Sequence, residues 1–124
     1  MVDRKARIPG QTPSAAGAIR AGNLVFTSGI VAPEVLGSEG VSFTRQVSGA
    51  LQALLTTLAG AGAGRTDVVR VEAFLGSPQD FAEWNAAFSN MWPDAAPART
   101  TLVSDFAMAG ILIEIQAIAV LDQL

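Results

Sequence analysis

Apolar residues recur along this chain with two different periods, and the switches between them lay out its elements. Asn23–Gly29 (NLVFTSG) is a β-branched and aromatic run ended by glycine, which predicts a strand. Val47, Ala50, Leu51, Leu54, Leu55 and Leu58 fall at i, i+3, i+4, i+7, i+8 and i+11, the single stripe of an amphipathic helix. Ser42 stands where an N-cap belongs, and the run Gly60-Ala61-Gly62-Ala63-Gly64 stops the helix. Thr66–Leu75 returns to strand character, with Val69, Val71 and Ala73 expected on one face and Arg70 and Glu72 on the other. Ser77-Pro78 opens a second helix, whose apolar stripe is Phe81, Trp84, Phe88 and either Met91 or Trp92. Pro93 and Pro97 bracket a loop, and Arg99–Val103 and Ile111–Leu121 close the chain as strands. The glycine- and proline-rich segments Ile8–Ala18 and Pro33–Gly40 predict irregular edge and turn.

The resulting order, β-α-β-α-β-β, predicts an α+β sandwich of two layers in a single domain over residues 1–124. Its one sheet would carry both helices on one face. Yet Ile111–Leu121 is apolar on both sides: Ile111, Ile113, Ile115 and Ala117 on one, Leu112, Ile118 and Val120 on the other. A chain of 124 residues has no third layer to cover the second side. The expectation is a homo-oligomer in which sheets of different copies bury that face.

Composition narrows the chemistry. Half of the residues are apolar and 15% are charged, which excludes intrinsic disorder. The chain has no cysteine, histidine or tyrosine. Disulfides, thiolate nucleophiles, thiolate or imidazole metal sites and histidine-based triads are therefore excluded. A net charge of −3 argues against a general nucleic-acid binder. The basic cluster Arg4, Lys5 and Arg7 is not followed by an apolar h-region, so no signal peptide is expected. The longest apolar stretch, about seven residues near Ala107–Ile113, is far short of the ~20 that a membrane helix needs. The expected compartment is the cytoplasm.

Few residues remain to carry chemistry. Glu114, with Gln116 two residues on, is the one anion in the apolar strand Ile111–Leu121. A carboxylate there loses solvation and needs a partner, so it is either a salt-bridged edge residue or a functional acid in an interfacial cleft. Arg99, in Pro97-Ala98-Arg99-Thr100-Thr101, begins a strand. Its planar fork grips carboxylates bidentately, or it is a surface arginine paired with an acid, for which Glu114 is the expected partner. Asn85 lies at i+4 from Phe81, in or beside the buried stripe, where an amide needs hydrogen-bond partners. Ser28-Gly29 ends a strand, and the glycine permits either close approach of a ligand or a tight turn. Gly60–Gly64 follows a helix and precedes a strand, the reverse of a dinucleotide-binding loop. Asp67, Glu72, Asp80 and Glu83 have no metal-ligand spacing, and the last two complement the dipole of a helix start.

Taken together, these segments resemble the RidA family (YjgF/YER057c/UK114) of reactive-intermediate deaminases. The marks are Gly22–Gly29, Thr44-Arg45-Gln46, Asp67–Val71, Asp80-Phe81 with Asn85, Pro97–Thr100, and Ile113-Glu114-Ile115 with Ala117-Ile118-Ala119. The resemblance implies a chorismate-mutase-like fold and a homotrimer with clefts between subunits. It implies hydrolysis of enamines and imines, such as 2-aminoacrylate and 2-iminobutanoate, to 2-keto acids and ammonia, without metal or organic cofactor. It implies that Arg99 holds the substrate carboxylate and Glu114 positions water, with Ser28, Gly29, Asn85 and the backbone at Thr101 lining the pocket. The chain departs from the family pattern at four places. Ala15 stands in place of a tyrosine, Thr101 in place of a cysteine, Gln116 in place of a second glutamate, and Ala107-Met108 in place of Leu-Pro. Two alternatives follow from these departures: action on another small amino or imino acid, such as an aminomuconate-like enamine, or non-catalytic binding of a small carboxylate.

Overall fold

Alternation of buried and half-exposed residues along one central strand organises the molecule. The computed structural model describes residues 5–122, so Arg4 of the basic cluster lies outside the described residues. The elements are β1 (Lys5–Ile8), β2 (Ala18–Ala21), β3 (Leu24–Thr27), α1 (Phe43–Gly60), β4 (Val68–Leu75), α2 (Phe81–Met91), β5 (Ala98–Val103) and β6 (Ile113–Val120). They form one six-stranded sheet in the order β1-β2-β3-β6-β4-β5. Only β4 and β5 pair in parallel, joined by α2, and all other neighbours are antiparallel. The α+β architecture read from the sequence is the one observed.

In β6, Ile113, Ile115, Ala117 and Ala119 are buried while Glu114, Gln116, Ile118 and Val120 are half-buried. The buried set, with Val25, Val71, Ala73 and Leu75, packs against Ala50, Leu51, Leu54 and Leu58 of α1 and Trp84 and Phe88 of α2. Both helices therefore lie on one face. The other face presents Leu24, Phe26 and Leu102, which are 36%, 41% and 52% exposed. Ile118 and Val120 lie beside Phe26 and Leu24 through the β3–β6 register.

Several expectations are corrected. The sheet has six strands rather than four, because residues 5–8 and 18–21 form a hairpin at its edge. Its loop, residues 9–17, is pinched where Gly17 donates to Ile8 O at 2.7 Å. Their sequences, KARI and AIRA, hold one β-branched residue each and no aromatic, so neither stands out as a strand. Val69 does not share the buried face of Val71. A bulge between Val68 and Arg70 inserts Val69 as an extra residue, leaving it 47% exposed and Val68 buried. Phe81 is 41% exposed, so it leaves the core stripe of α2. Trp92, not Met91, completes that stripe, with its indole nitrogen donating to Arg65 O at 2.8 Å. Ser42 caps α1 as expected, accepting from Arg45 N at 3.2 Å.

One side chain that the pattern did not single out ties the layers together. Gln46 is completely buried near the start of α1. Its amide nitrogen donates to Val41 O and Gly110 O, both at 2.9 Å, and its oxygen accepts from Leu112 N at 2.9 Å. These bonds pair backbone groups of the segments on either side of the buried amide. They anchor the segment that leads into β6.

Candidate functional site

The strand β5 is an open edge of the sheet, and its register decides what it offers. Arg99 lies opposite Val71 and Thr101 opposite Ala73, so both side chains project on the helix-bearing face. Ser104 N donates inward to Leu75 O at 2.9 Å. Backbone groups alternate in direction along a strand, so the N–H and C=O of Arg99, Thr101 and Val103 point outward to the free edge.

The helix α2 holds the Arg99 guanidinium there. Arg99 Nη1 donates to Asn85 Oδ1 at 2.9 Å. The guanidinium carbon lies 4.6 Å from the Phe88 ring centroid and 5.5 Å from that of Phe81. Cation–π contact and one amide acceptor fix the fork without neutralising its charge. Asn85 is exposed rather than buried, and Arg99 is its partner. From the adjacent position on α2, Trp84 Nε1 donates to Thr101 Oγ1 at 3.1 Å.

A second group of residues assembles at the end of β3. Phe26 lies opposite Ile118, while Ile30 bridges Ile115, so β3 and its extension hold one residue more than β6 over this stretch. That extra residue makes a bulge at Thr27–Gly29. Thr27 Oγ1 accepts from Ala117 N at 2.9 Å, replacing a ladder bond. Ser28 Oγ donates to Ala16 O at 2.5 Å, which ties the bulge to the 9–17 loop. Gly29 lies flat against the Glu114 carboxyl group, and a Cβ there would collide with Glu114 Oε2.

The expectation that Glu114 pairs with Arg99 is corrected. The neighbour of β5 is β4, not β6. Glu114 lies opposite Phe74 and so projects on the open face, whereas Arg99 projects with Val71 on the other. Within one copy the two cannot meet. Of the anticipated residues, Arg99, Asn85 and Thr101 form one cluster, and Ser28, Gly29 and Glu114 form another. The exposed Phe81, missed as a site residue, belongs to the first. Its aromatic identity at i−4 from Asn85 was the available signal.

The open face also carries a polar group at its centre. Arg70 Nη2 donates to Thr100 Oγ1 at 2.9 Å and lies 3.7 Å from Glu72 Oε2, while Gln116 Nε2 donates to Glu72 Oε1 at 3.2 Å. No group of three or more metal-ligating side chains occurs among the described residues.

Comparison with known proteins agrees with this architecture. The model of the Endoribonuclease L-PSP family matches residues 6–121. A RutC family protein of Pyrococcus horikoshii is 32% identical over 107 residues, covering 82% of each chain. The protein DfrA of Myxococcus xanthus is 32% identical over 125 residues, covering 94% of this chain and 95% of that one. The crystal structure of a YjgF family member from Neisseria meningitidis superposes with a TM-score of 0.81 at 26% identity, covering 97% of both chains. The chain belongs to this family, the YjgF/YER057c/UK114 or RidA family.

Proposed function

We propose that this protein hydrolyses small 2-imino and enamine carboxylates to 2-keto acids and ammonia, in clefts between the copies of a homotrimer. The observation that carries the reading is the Arg99 guanidinium. It is set over Phe88 by Asn85 at a free strand edge, with charge left to bind an anion. The apolar open face, with Phe26 41% exposed, supports burial against other copies. A neighbouring copy then supplies what one copy separates, its Glu114 beside the first copy's Arg99.

The chemistry suits these residues. Arg99 fixes the substrate carboxylate by charge-assisted hydrogen bonds. Water adds to the electrophilic imine carbon while Glu114 of the neighbouring copy accepts one of its protons. The carbinolamine then expels ammonia as Glu114 returns that proton to nitrogen. The balance is imino acid plus water giving keto acid plus ammonia. Orientation provides most of the assistance, because the imine is reactive already.

The family description names an endoribonuclease. A chain with net charge −3 and no histidine is poorly equipped for RNA cleavage. The second reading, a carboxylate-binding protein without turnover, is favoured by one observation: the anion grip is complete in one copy, while the acid is not beside it. Ala15 in the exposed 9–17 loop leaves room for a larger enamine, such as an aminomuconate-like one.

The test is ammonia and keto-acid release from freshly generated 2-iminobutanoate. Wild type is expected to turn over many equivalents, and Arg99→Ala to lose activity with its oligomer intact. Undiminished activity in Arg99→Ala overturns the assignment. Saturable pyruvate binding with no release of ammonia establishes the binding protein instead.

A further inference from the structure

A groove on the outer side of the helix layer carries an inference that does not depend on the proposed reaction. We infer that the groove between α1 and α2 is a second ligand site, and that it takes a small monocarboxylate with an aromatic body, an arylalkanoate.

The groove measures about 590 Å³, within the range of small-molecule sites. Both helices line it with apolar side chains. Val47 and Leu51 of α1 are buried, and Ala87 and Met91 of α2 are half-buried. Ala87 offers only a methyl group between the helices, which leaves the space open.

One cation borders this apolar surface. Arg65 lines the groove, and two hydrogen bonds fix it against the end of α2. Trp92 Nε1 donates to Arg65 O at 2.8 Å, and Arg65 Nη1 donates to Met91 O at 3.2 Å. No ion pair of Arg65 and no acidic lining residue occurs among the described residues. The Nε–Nη2 edge of the fork has no partner among them either. That edge offers two parallel N–H groups, the match of a carboxylate.

The lining decides what hangs from the carboxylate. Met91 is the residue whose carbonyl Arg65 holds, so a ligand gripped by the fork lies beside its thioether. A polarisable sulfur favours an aromatic ring. Thr44 to Gln52 run about 12 Å along α1, which suits a ring with a short linker. The site is separate from the candidate active site. By helical period, Ala87 and Met91 lie on the side of α2 turned away from Asn85 and Phe81, which hold Arg99. The helix layer also stays open when the opposite face of the sheet is buried between copies.

The test is an amide chemical-shift titration of the intact protein with phenylacetate, with acetate and phenethylamine as controls. Saturable shifts are expected at Arg65, Asn90 and Met91, with a Kd of about 1 mM. Arg65→Gln is expected to weaken binding at least about tenfold. Ala87→Leu, which fills the gap and keeps the charge, is expected to weaken it by a similar factor. Arg99→Ala is expected to bind phenylacetate in the groove within about twofold of wild type. Arg65 is exposed, so Arg65→Gln keeps the test open if Ala87→Leu fails to fold. Shifts absent from the groove, or confined to the surroundings of Arg99 and lost in Arg99→Ala, overturn the inference and leave the proposed function standing. Equal affinity for phenethylamine overturns the role of the cation, and equal affinity for acetate overturns that of the apolar lining. Shifts of the same amides on dilution of the ligand-free protein show that a second copy fills the groove, and they overturn the inference too.

Discussion

Asn85 and Arg99 come from different layers of the molecule, yet Asn85 Oδ1 accepts from Arg99 Nη1 at 2.9 Å across the gap between α2 and β5. The aromatic faces of Phe81 and Phe88 bear on the same guanidinium, so aromatic contact and amide share the task of holding it. Asn85→Ala removes the amide and leaves the aromatic support. The expected result is a KM for 2-iminobutanoate raised about three- to tenfold with kcat little changed, because a fixed fork loses less freedom on binding than a loose one. Steady-state kinetics decide it. An unaltered KM would show that the rings alone suffice.

Gly29 permits the Glu114 carboxyl group to lie against the backbone of the 27–29 bulge. Gly29→Ala puts a methyl group where that carboxylate lies, and the flexible glutamate must swing aside. Turnover is expected to fall at least about tenfold, as displaced catalytic groups do, with a melting temperature close to wild type. Retained turnover would remove Glu114 in this position from the mechanism.

Gln46 satisfies three backbone groups from inside the core. Gln46→Leu leaves Val41 O, Gly110 O and Leu112 N without their partner. The expected loss of stability is about 3 kcal/mol, read as a lower urea midpoint at unchanged m-value. A shift below about 1 kcal/mol would mean that water replaces the amide at little cost.

Phe26 stands on the open face and outside the core cluster. Phe26→Lys adds a charge to the surface proposed to be buried between copies. Light scattering after size-exclusion chromatography is expected to show a trimer for wild type and a monomer for Phe26→Lys, with the far-ultraviolet circular dichroism preserved. A trimer in both would move the interface elsewhere.

Much of the fold was legible because strong periods report it directly. The stripe from Val47 to Leu58 could bury itself only as a helix, and Ser42 marked its start. The apolar character of both sides of residues 111–121 announced an uncovered sheet face, which the half-exposed Ile118 and Val120 realise. The hairpin of β1 and β2 was not legible, since KARI and AIRA lack the run of β-branched and aromatic residues that marked the equally short β3. The bulge at Val69 was invisible for another reason: one inserted residue reverses the facing of its neighbours, and only hydrogen bonding to β6 reveals the insertion.

The site divides in the same way. Residue type singled out Arg99 as a candidate anion grip, Glu114 as a candidate acid and Asn85 as an amide in need of partners, since a chain without histidine or cysteine offers few other candidates. Which of them meet was decided by strand order. Placing β4 between β5 and β6 separates Arg99 from Glu114, and the alternation of side chains sends them to opposite faces. Periodicity is a local property that each segment carries in its own residues. Register and strand order arise from contacts between segments far apart in the chain, and only the folded sheet specifies them.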